Sequence, residues 1–383
     1  MGSIRRVGCW RIDNDPASPQ VGWPAGVAVP GKVSNGLPSD NAFTNPNLVI
    51  DQKDTPWLAW LNSTSGDIKV FRYSLKASSP RARRAGNIAG TWAAVSSESI
   101  TSGKSDCGLG CTAAPKFAVS GAGQPYVAYT NYVMNDDYRS SDKTTAYVKR
   151  LGGGKWATVR QFQGPASVKF SLELALGPSA PYAPFVMYKW EGDALKLPPG
   201  QQGPVLRQQG SAWTSIANAS ESVTFSPNMY TNIAMAGSAA EPYVAYSGDS
   251  AYGDARGKTV VAAPRGGAWA PVASSNMPSC GIAKQRPGSN GNLWVRTRLV
   301  ATRKALYLVC NQYDELNVYS LSLPARANQP WVGVGGMPTA VGAAVIDPPG
   351  VESSFEVQVA GNGKLYLAYL DAAAGGNITI AAL

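Results

Sequence analysis

The chain of 383 residues contains no histidine. Ser-His-Asp and Cys-His catalysis, histidine-ligated zinc and histidine general bases are therefore excluded. Chemistry here has to run on carboxylates, tyrosine, lysine, arginine or cysteine. The residues best suited to it cluster around six copies of one phrase, of which "QPYVAYTN" at 124–131 is typical. Asn62 closes the first copy. Asn131 closes the second and is followed by Tyr132 and Asp136. Trp190 closes the third, with Glu191 next. Asp249 and Tyr252 follow the fourth, Tyr313 follows the fifth, and Asp371 closes the sixth. Aromatic rings beside carboxylates and amides suit sugars, whose C–H faces stack while their hydroxyls need paired acceptors. Taken singly, each of these residues also has a plainer role, because Asn, Asp and Gly are the residues of turns.

Glycoside hydrolysis needs two carboxylates held about 5–9.5 Å apart. The doublets Asp136/Asp137 and Asp314/Glu315 are neighbours in sequence, which does not make them converge, so no catalytic residue is assigned. The stretch "MNDDYRSSD" offers several oxygens to a calcium ion, but the EF-hand spacing is absent, and no metal or cofactor is assigned. Of five cysteines, Cys107 and Cys111 bracket "GLG" and can close a small disulfide loop. Cys280 and Cys310 can form a second bridge, leaving Cys9 unpaired. Two bridges point to an oxidising compartment.

Lys and Arg number 34 against 24 Asp and Glu, a net charge of +10. That balance serves solubility and favours acidic partners, including anionic glycans. The densest basic run, Arg81, Arg83 and Arg84 in "SSPRARRAG", has no interleaved aromatic residues of the kind a single-strand-binding platform needs. Nucleic acid is thus a weak reading. No stretch reaches the ~18–20 apolar residues of a membrane span. The start, "MGSIRRVGCW", lacks the apolar core of a signal peptide.

The six copies set the architecture. Their leading aromatics are Trp57, Tyr126, Phe185, Tyr243, Tyr307 and Tyr366, separated by 69, 59, 58, 64 and 59 residues. A short apolar stretch and a tight turn precede each copy, as in "KFAVSGAG". An alternating stretch follows, as in "IKVFRYS" and "KTVVAAP", and then a tryptophan after a polar turn at Trp92, Trp156, Trp213, Trp269 and Trp331. Four antiparallel strands per unit, repeated six times, give an all-β, six-bladed β-propeller. The sixth unit lacks its tryptophan strand. "VGCWRID" near the N-terminus supplies it, because Trp10 then lies 27 residues past Tyr366 along the closed circle, against 24 to 35 in the other units. The N-terminal strand is therefore expected to pair into the last blade and close the ring, which removes an exposed sheet edge. The blades are expected at about 43–96, 115–160, 171–217, 230–273, 297–335, and 354–383 plus 4–12. Residues 13–42 form a long connecting loop, and the whole is one domain.

The repeat, roughly "LAVDxxGxPYVAYxD…W", resembles the short secreted propeller units of bacterial and algal surface proteins. The resemblance covers nearly the whole chain except 13–45. It implies architecture and an extracellular or cell-surface setting, with no specific enzyme family attached. Aspartate-box repeats and a Kelch-type double glycine are absent.

In such a blade the connections from strand two to three and from strand four to the next strand one emerge on one face. Here those are the long ones, such as "TNYVMNDDYRSSDK" and "KWEGDALKLPPGQQG". Long loops on a rigid scaffold are where binding residues gather. The expectation is an extracellular or cell-surface binding module that recognises a glycan or a protein partner through this face. The alternatives are a histidine-independent glycan hydrolase or lyase at the central channel, and a structural subunit of a surface assembly.

Overall fold

The computed structural model describes residues 9–10, 43–53, 55–62, 66–75, 90–101, 115–134, 141–164, 170–177, 179–190, 205–217, 230–236, 241–247, 259–272, 296–302, 304–312, 315–326, 329–334, 355–359, 365–371 and 377–382. After β1 (Cys9–Trp10) the strands run in sequence-ordered groups of four. The first sheet is β2 (Phe43–Ile50), β3 (Pro56–Asn62), β4 (Ile68–Leu75) and β5 (Gly90–Ala94). The second is β6 (Lys116–Val119), β7 (Pro125–Met134), β8 (Ser141–Gly152) and β9 (Lys155–Gly164). The third is β10 (Phe170–Leu176), β11 (Pro184–Trp190), β12 (Val205–Gln209) and β13 (Ala212–Ser215). The fourth is β14 (Tyr230–Ala236), β15 (Glu241–Ser247), β16 (Thr259–Arg265) and β17 (Ala268–Pro271). The fifth is β18 (Arg296–Ala301), β19 (Ala305–Gln312), β20 (Glu315–Ser322) and β21 (Val332–Gly333). β22 (Phe355–Val359), β23 (Leu365–Asp371) and β24 (Asn377–Ala382) form a sheet whose outer strand is β1, through Cys9↔Thr379 and Trp10↔Ile378. Five sheets are thus continuous in sequence and one is composite. The fold is a β-propeller with four antiparallel strands per blade.

Buried clusters fill each boundary between consecutive sheets from the first to the sixth, so the second strands read as nearly continuous apolar runs. In β7, Tyr126 and Ala128 pack toward the third sheet while Val127 and Tyr129 pack toward the first. The same division recurs from sheet to sheet. Trp57 and Trp156 meet between the first and second sheets, and Tyr126 and Trp213 between the second and third. Phe185 and Trp269 meet between the third and fourth, and Tyr243 and Trp331 between the fourth and fifth. At these four boundaries the leading aromatic faces the following sheet, and the fourth-strand tryptophan faces the preceding one. At every one of these positions the ring is committed to packing between sheets.

The short turns have their own chemistry. Asp51 ends β2 and accepts the backbone N–H groups of Lys53 (2.8 Å) and Thr55 (2.9 Å) and the indole N–H of Trp57 (3.0 Å). Ser120 and Thr302 hold the corresponding turns through their hydroxyls, which accept the amides of Gln124 and Ala305. Such side-chain turns fix the register of the strand that follows. Between β16 and β17, Gly266 and Gly267 have φ of 58° and 84°, the pair of left-handed residues that a two-residue hairpin needs.

One expectation is corrected. "TNYVMNDDYRSSDK" is not all loop: β7 runs to Met134 and β8 begins at Ser141, with Asn131↔Thr145 and Tyr132↔Thr144 in the ladder. The outer strand β9 follows them out to Gly164. β-Branched and aromatic residues on either side of the turn let the hairpin lengthen. The second sheet therefore projects further than its neighbours.

Trp269 is fully buried between two sheets. Replacing it with alanine is expected to cost about 3–5 kcal/mol, read from the urea midpoint. A loss below about 1 kcal/mol would contradict this packing role.

Candidate binding face

The residues expected to bind lie at one end of the second strands. Asn62 ends β3, Trp190 ends β11 and Asp371 ends β23, while Asn131 and Tyr132 lie within β7. Asn131 is half-buried. Asp136, Glu191, Asp249, Tyr252 and Tyr313 lie outside the described residues, as do Cys107, Cys111, Cys280 and the run Arg81–Arg84. Cys310 is fully buried in β19 and disulfide-bonded.

The best-defined polar cluster on this side belongs to residues that no spacing in the sequence singled out. Asp67, just before β4, accepts hydrogen bonds from Ser99 Oγ (2.5 Å) and Thr101 Oγ1 (3.3 Å). Those hydroxyls come from the connection between the first and second sheets. Its Ile100 carbonyl accepts from Tyr129 OH (3.2 Å) and from the Lys149 amine. Tyr129 stacks on Tyr147 with ring centroids 5.2 Å apart and an interplanar angle of 20°, and the Lys149 amine sits 5.8 Å from the Tyr129 centroid. Opposite Val148 and Lys149 the ladder shifts register, leaving Val159 of β9 as the extra residue of a β-bulge. The partners come from four separate stretches, which is why no local motif announces them.

The network ties the connection to the sheets and sets the local charge. Burial pushes the Tyr129 phenol well up, with the Tyr147 and Asp67 charges adding to it. Burial lowers the Lys149 amine, while the Asp67 carboxylate pulls it back up. Toward solvent the cluster offers the half-buried ring of Tyr147, the amide of Asn131 and the carboxylate of Asp67. The arrangement can stack a flat apolar face and pair hydroxyls beside it. Among the described residues no group of three or more Cys, Asp or Glu is placed to hold a metal ion, and no helix is long and apolar enough to cross a membrane.

No protein-family model matches the chain, and no curated protein matches it by sequence. Among solved structures it is similar to a protein of unknown function from Dyadobacter fermentans, at 11% identity and a TM-score of 0.47, covering 91% of this chain and 96% of that one. It is similar to the polysaccharide lyase Uly1 at 10% identity and a TM-score of 0.43, covering 88% and 76%. A thermostable family-43 glycoside hydrolase aligns at 12% identity and a TM-score of 0.35, covering 91% of each chain.

The two shifts carry opposite signs in pH dependence. Above pH ~10 the Tyr129 of an unfolded chain ionises while the folded one keeps its proton, so stability falls as pH rises. Lys149 acts in the opposite direction at lower pH. Between its depressed folded value and the ordinary lysine value the unfolded chain holds the extra proton, so stability rises with pH there. Tyr129→Phe is expected to reduce the loss above pH ~10 and to cost about 1 kcal/mol at neutral pH. Urea unfolding across pH checks both, and an unchanged alkaline slope would contradict the assignment.

Proposed function

We propose that the protein is an extracellular or cell-surface binding module that recognises a glycan through the long-turn face, centred where the second sheet projects beside the first. The observation that carries this reading is the lengthened β7–β8 hairpin, which holds Asn131 and the Tyr129/Tyr147 stack across from Asp67. A rigid strand pair holds an aromatic ring and its hydrogen-bonding neighbours more firmly than a loop would. The hydrolase or lyase reading is weaker at this cluster. The phenol of Tyr129 and the amine of Lys149 each donate a hydrogen bond to the Ile100 carbonyl, which ties them to the connection.

The same reading makes the chain one domain, a closed ring of six blades bounded as the repeats suggest. Its support is the pairing of β1 with β24 and the hydrogen bond from Gln358 Nε2 in β22 to the Leu48 carbonyl in β2, at 3.1 Å. Cys280 is the proposed partner of Cys310, and the disulfide supports an oxidising compartment. Removing residues 1–12 is expected to lower the melting temperature by several degrees, because it exposes the edge of β24 and leaves the last sheet one strand short. An unchanged melting temperature would count against closure.

Glycan binding is tested on an array of neutral and anionic polysaccharides at low and high salt. Tyr147→Ala and Trp190→Ala are expected to weaken binding of the neutral polysaccharides by about tenfold, the worth of one stacked ring. Shortened polysaccharide after incubation would favour the enzyme instead. Neither binding nor shortening would overturn both glycan readings.

A further inference from the structure

We propose that the opposite, short-turn side carries a second binding surface, an arc of arginines that takes an acidic polysaccharide. The observation is a coincidence of strand register. Across β3–β4, β7–β8 and β11–β12 the residue paired with the leading aromatic is arginine each time: Arg72 opposite Trp57, Arg150 opposite Tyr126 and Arg207 opposite Phe185. In the fourth sheet Val244 pairs with Ala262, and Arg265 lies three residues further along β16. The two-residue period of a strand puts Arg265 on the face of Ala263, toward the fifth sheet. Its Nη2 reaches across that boundary to the Ala325 carbonyl, 3.0 Å away. All four arginines fall within three residues of the end of their strand, on the side away from Asp67 and Tyr147.

Three consecutive sheets thus present a cation at the same register, and the fourth presents Arg265 two residues further toward the short turn. Arg72, Arg150 and Arg265 are exposed and Arg207 is half-buried, while the aromatics beneath Arg72, Arg150 and Arg207 are at most 4% exposed. The stem can lie on the ring while the guanidinium faces water, as Arg72 does 5.2 Å over Trp57. Among the described residues no carboxylate forms an ion pair with any of the four. The nearby Glu241 accepts a hydrogen bond from Tyr243 OH. Exposed Lys155 and Arg326 on adjoining turns add charge of the same sign.

Guanidinium forks match carboxylates and sulfates two bonds at a time. One fork per sheet along an arc suits a flexible linear chain with a repeating negative charge. Single-stranded nucleic acid would also need rings on which its bases stack, and the rings here are buried under the arginines. An acidic polysaccharide is the ligand this chemistry favours.

The test uses immobilised polygalacturonate and dextran sulfate, with neutral dextran as the control. The full chain is compared with the fourfold variant R72Q/R150Q/R207Q/R265Q and with the same four positions changed to lysine. The wild type is expected to bind both anionic polymers and not dextran. The glutamine variant is expected to bind at least tenfold more weakly, with a salt slope lower by about three, roughly 0.7 for each of the four cations removed. The lysine variant keeps the charges but not the forks and is expected to bind between the wild type and the glutamine variant. Tyr147→Ala is expected to leave this binding unchanged, which separates the arc from the long-turn face. The proposal is overturned if the wild type ignores both polymers, if the glutamine variant binds as well as wild type, or if the lysine variant fails as badly as the glutamine one. Equal or tighter binding of duplex DNA at the same salt would overturn the polysaccharide assignment.

Discussion

Consecutive sheets in this protein pack face to face, and the exchange of aromatic rings across their boundaries is the constraint on which the rest depends. One sheet contributes the first aromatic of its second strand, and the next contributes the tryptophan of its fourth. Neither ring can be buried by its own sheet, since each needs the neighbour's surface. The repeated unit is therefore unable to bury its faces alone, as in other repeat architectures. Burial of this kind is worth several kcal/mol per ring, and it recurs at each of the four boundaries where both rings are described.

That constraint assigns the remaining residues. Side chains in the middle of the strands are committed to packing, so variation is left to the strand ends and connections. On one side the ends carry Asp51, Ser120 and Thr302, whose side chains hold short turns and fix register. On the other, the long connections are tied down where they cross a boundary, as Ile100 is by Tyr129 and Lys149. The two sides differ in electrostatics as well as in length. The short-turn side bears the arginine column. The long-turn side holds a carboxylate, an amide and a stacked pair of tyrosines.

The strand pattern was legible because it repeats. Tyr126, Phe185 and Tyr243 recur at nearly constant spacing, and Trp10 could be placed in the last sheet by arithmetic on that spacing. The polar cluster around Asp67 was not legible. Its hydroxyl donor Thr101 lies 34 residues away, and Lys149 lies 49 residues from the carbonyl it meets. Only the pairing of the sheets brings them together. The extension of β7 past Asn131 was missed for a different reason. Asn and Asp near a chain reversal read as turn residues, and their neighbours Tyr132 and Val133 outweigh them once a partner strand is present. The arginine column was hidden by unequal loop lengths, which put Arg72, Arg150 and Arg207 at 15, 24 and 22 residues from the aromatic each one faces.

The most direct test of the frame is a double-mutant cycle on Tyr243 and Trp331, which share one buried cluster between the fourth and fifth sheets. Urea unfolding of Tyr243→Ala, Trp331→Ala and the double variant gives the coupling. If the two rings complete one another across the boundary, the double variant loses less than the sum of the singles, by more than about 0.5 kcal/mol. Strict additivity within that margin would contradict the account.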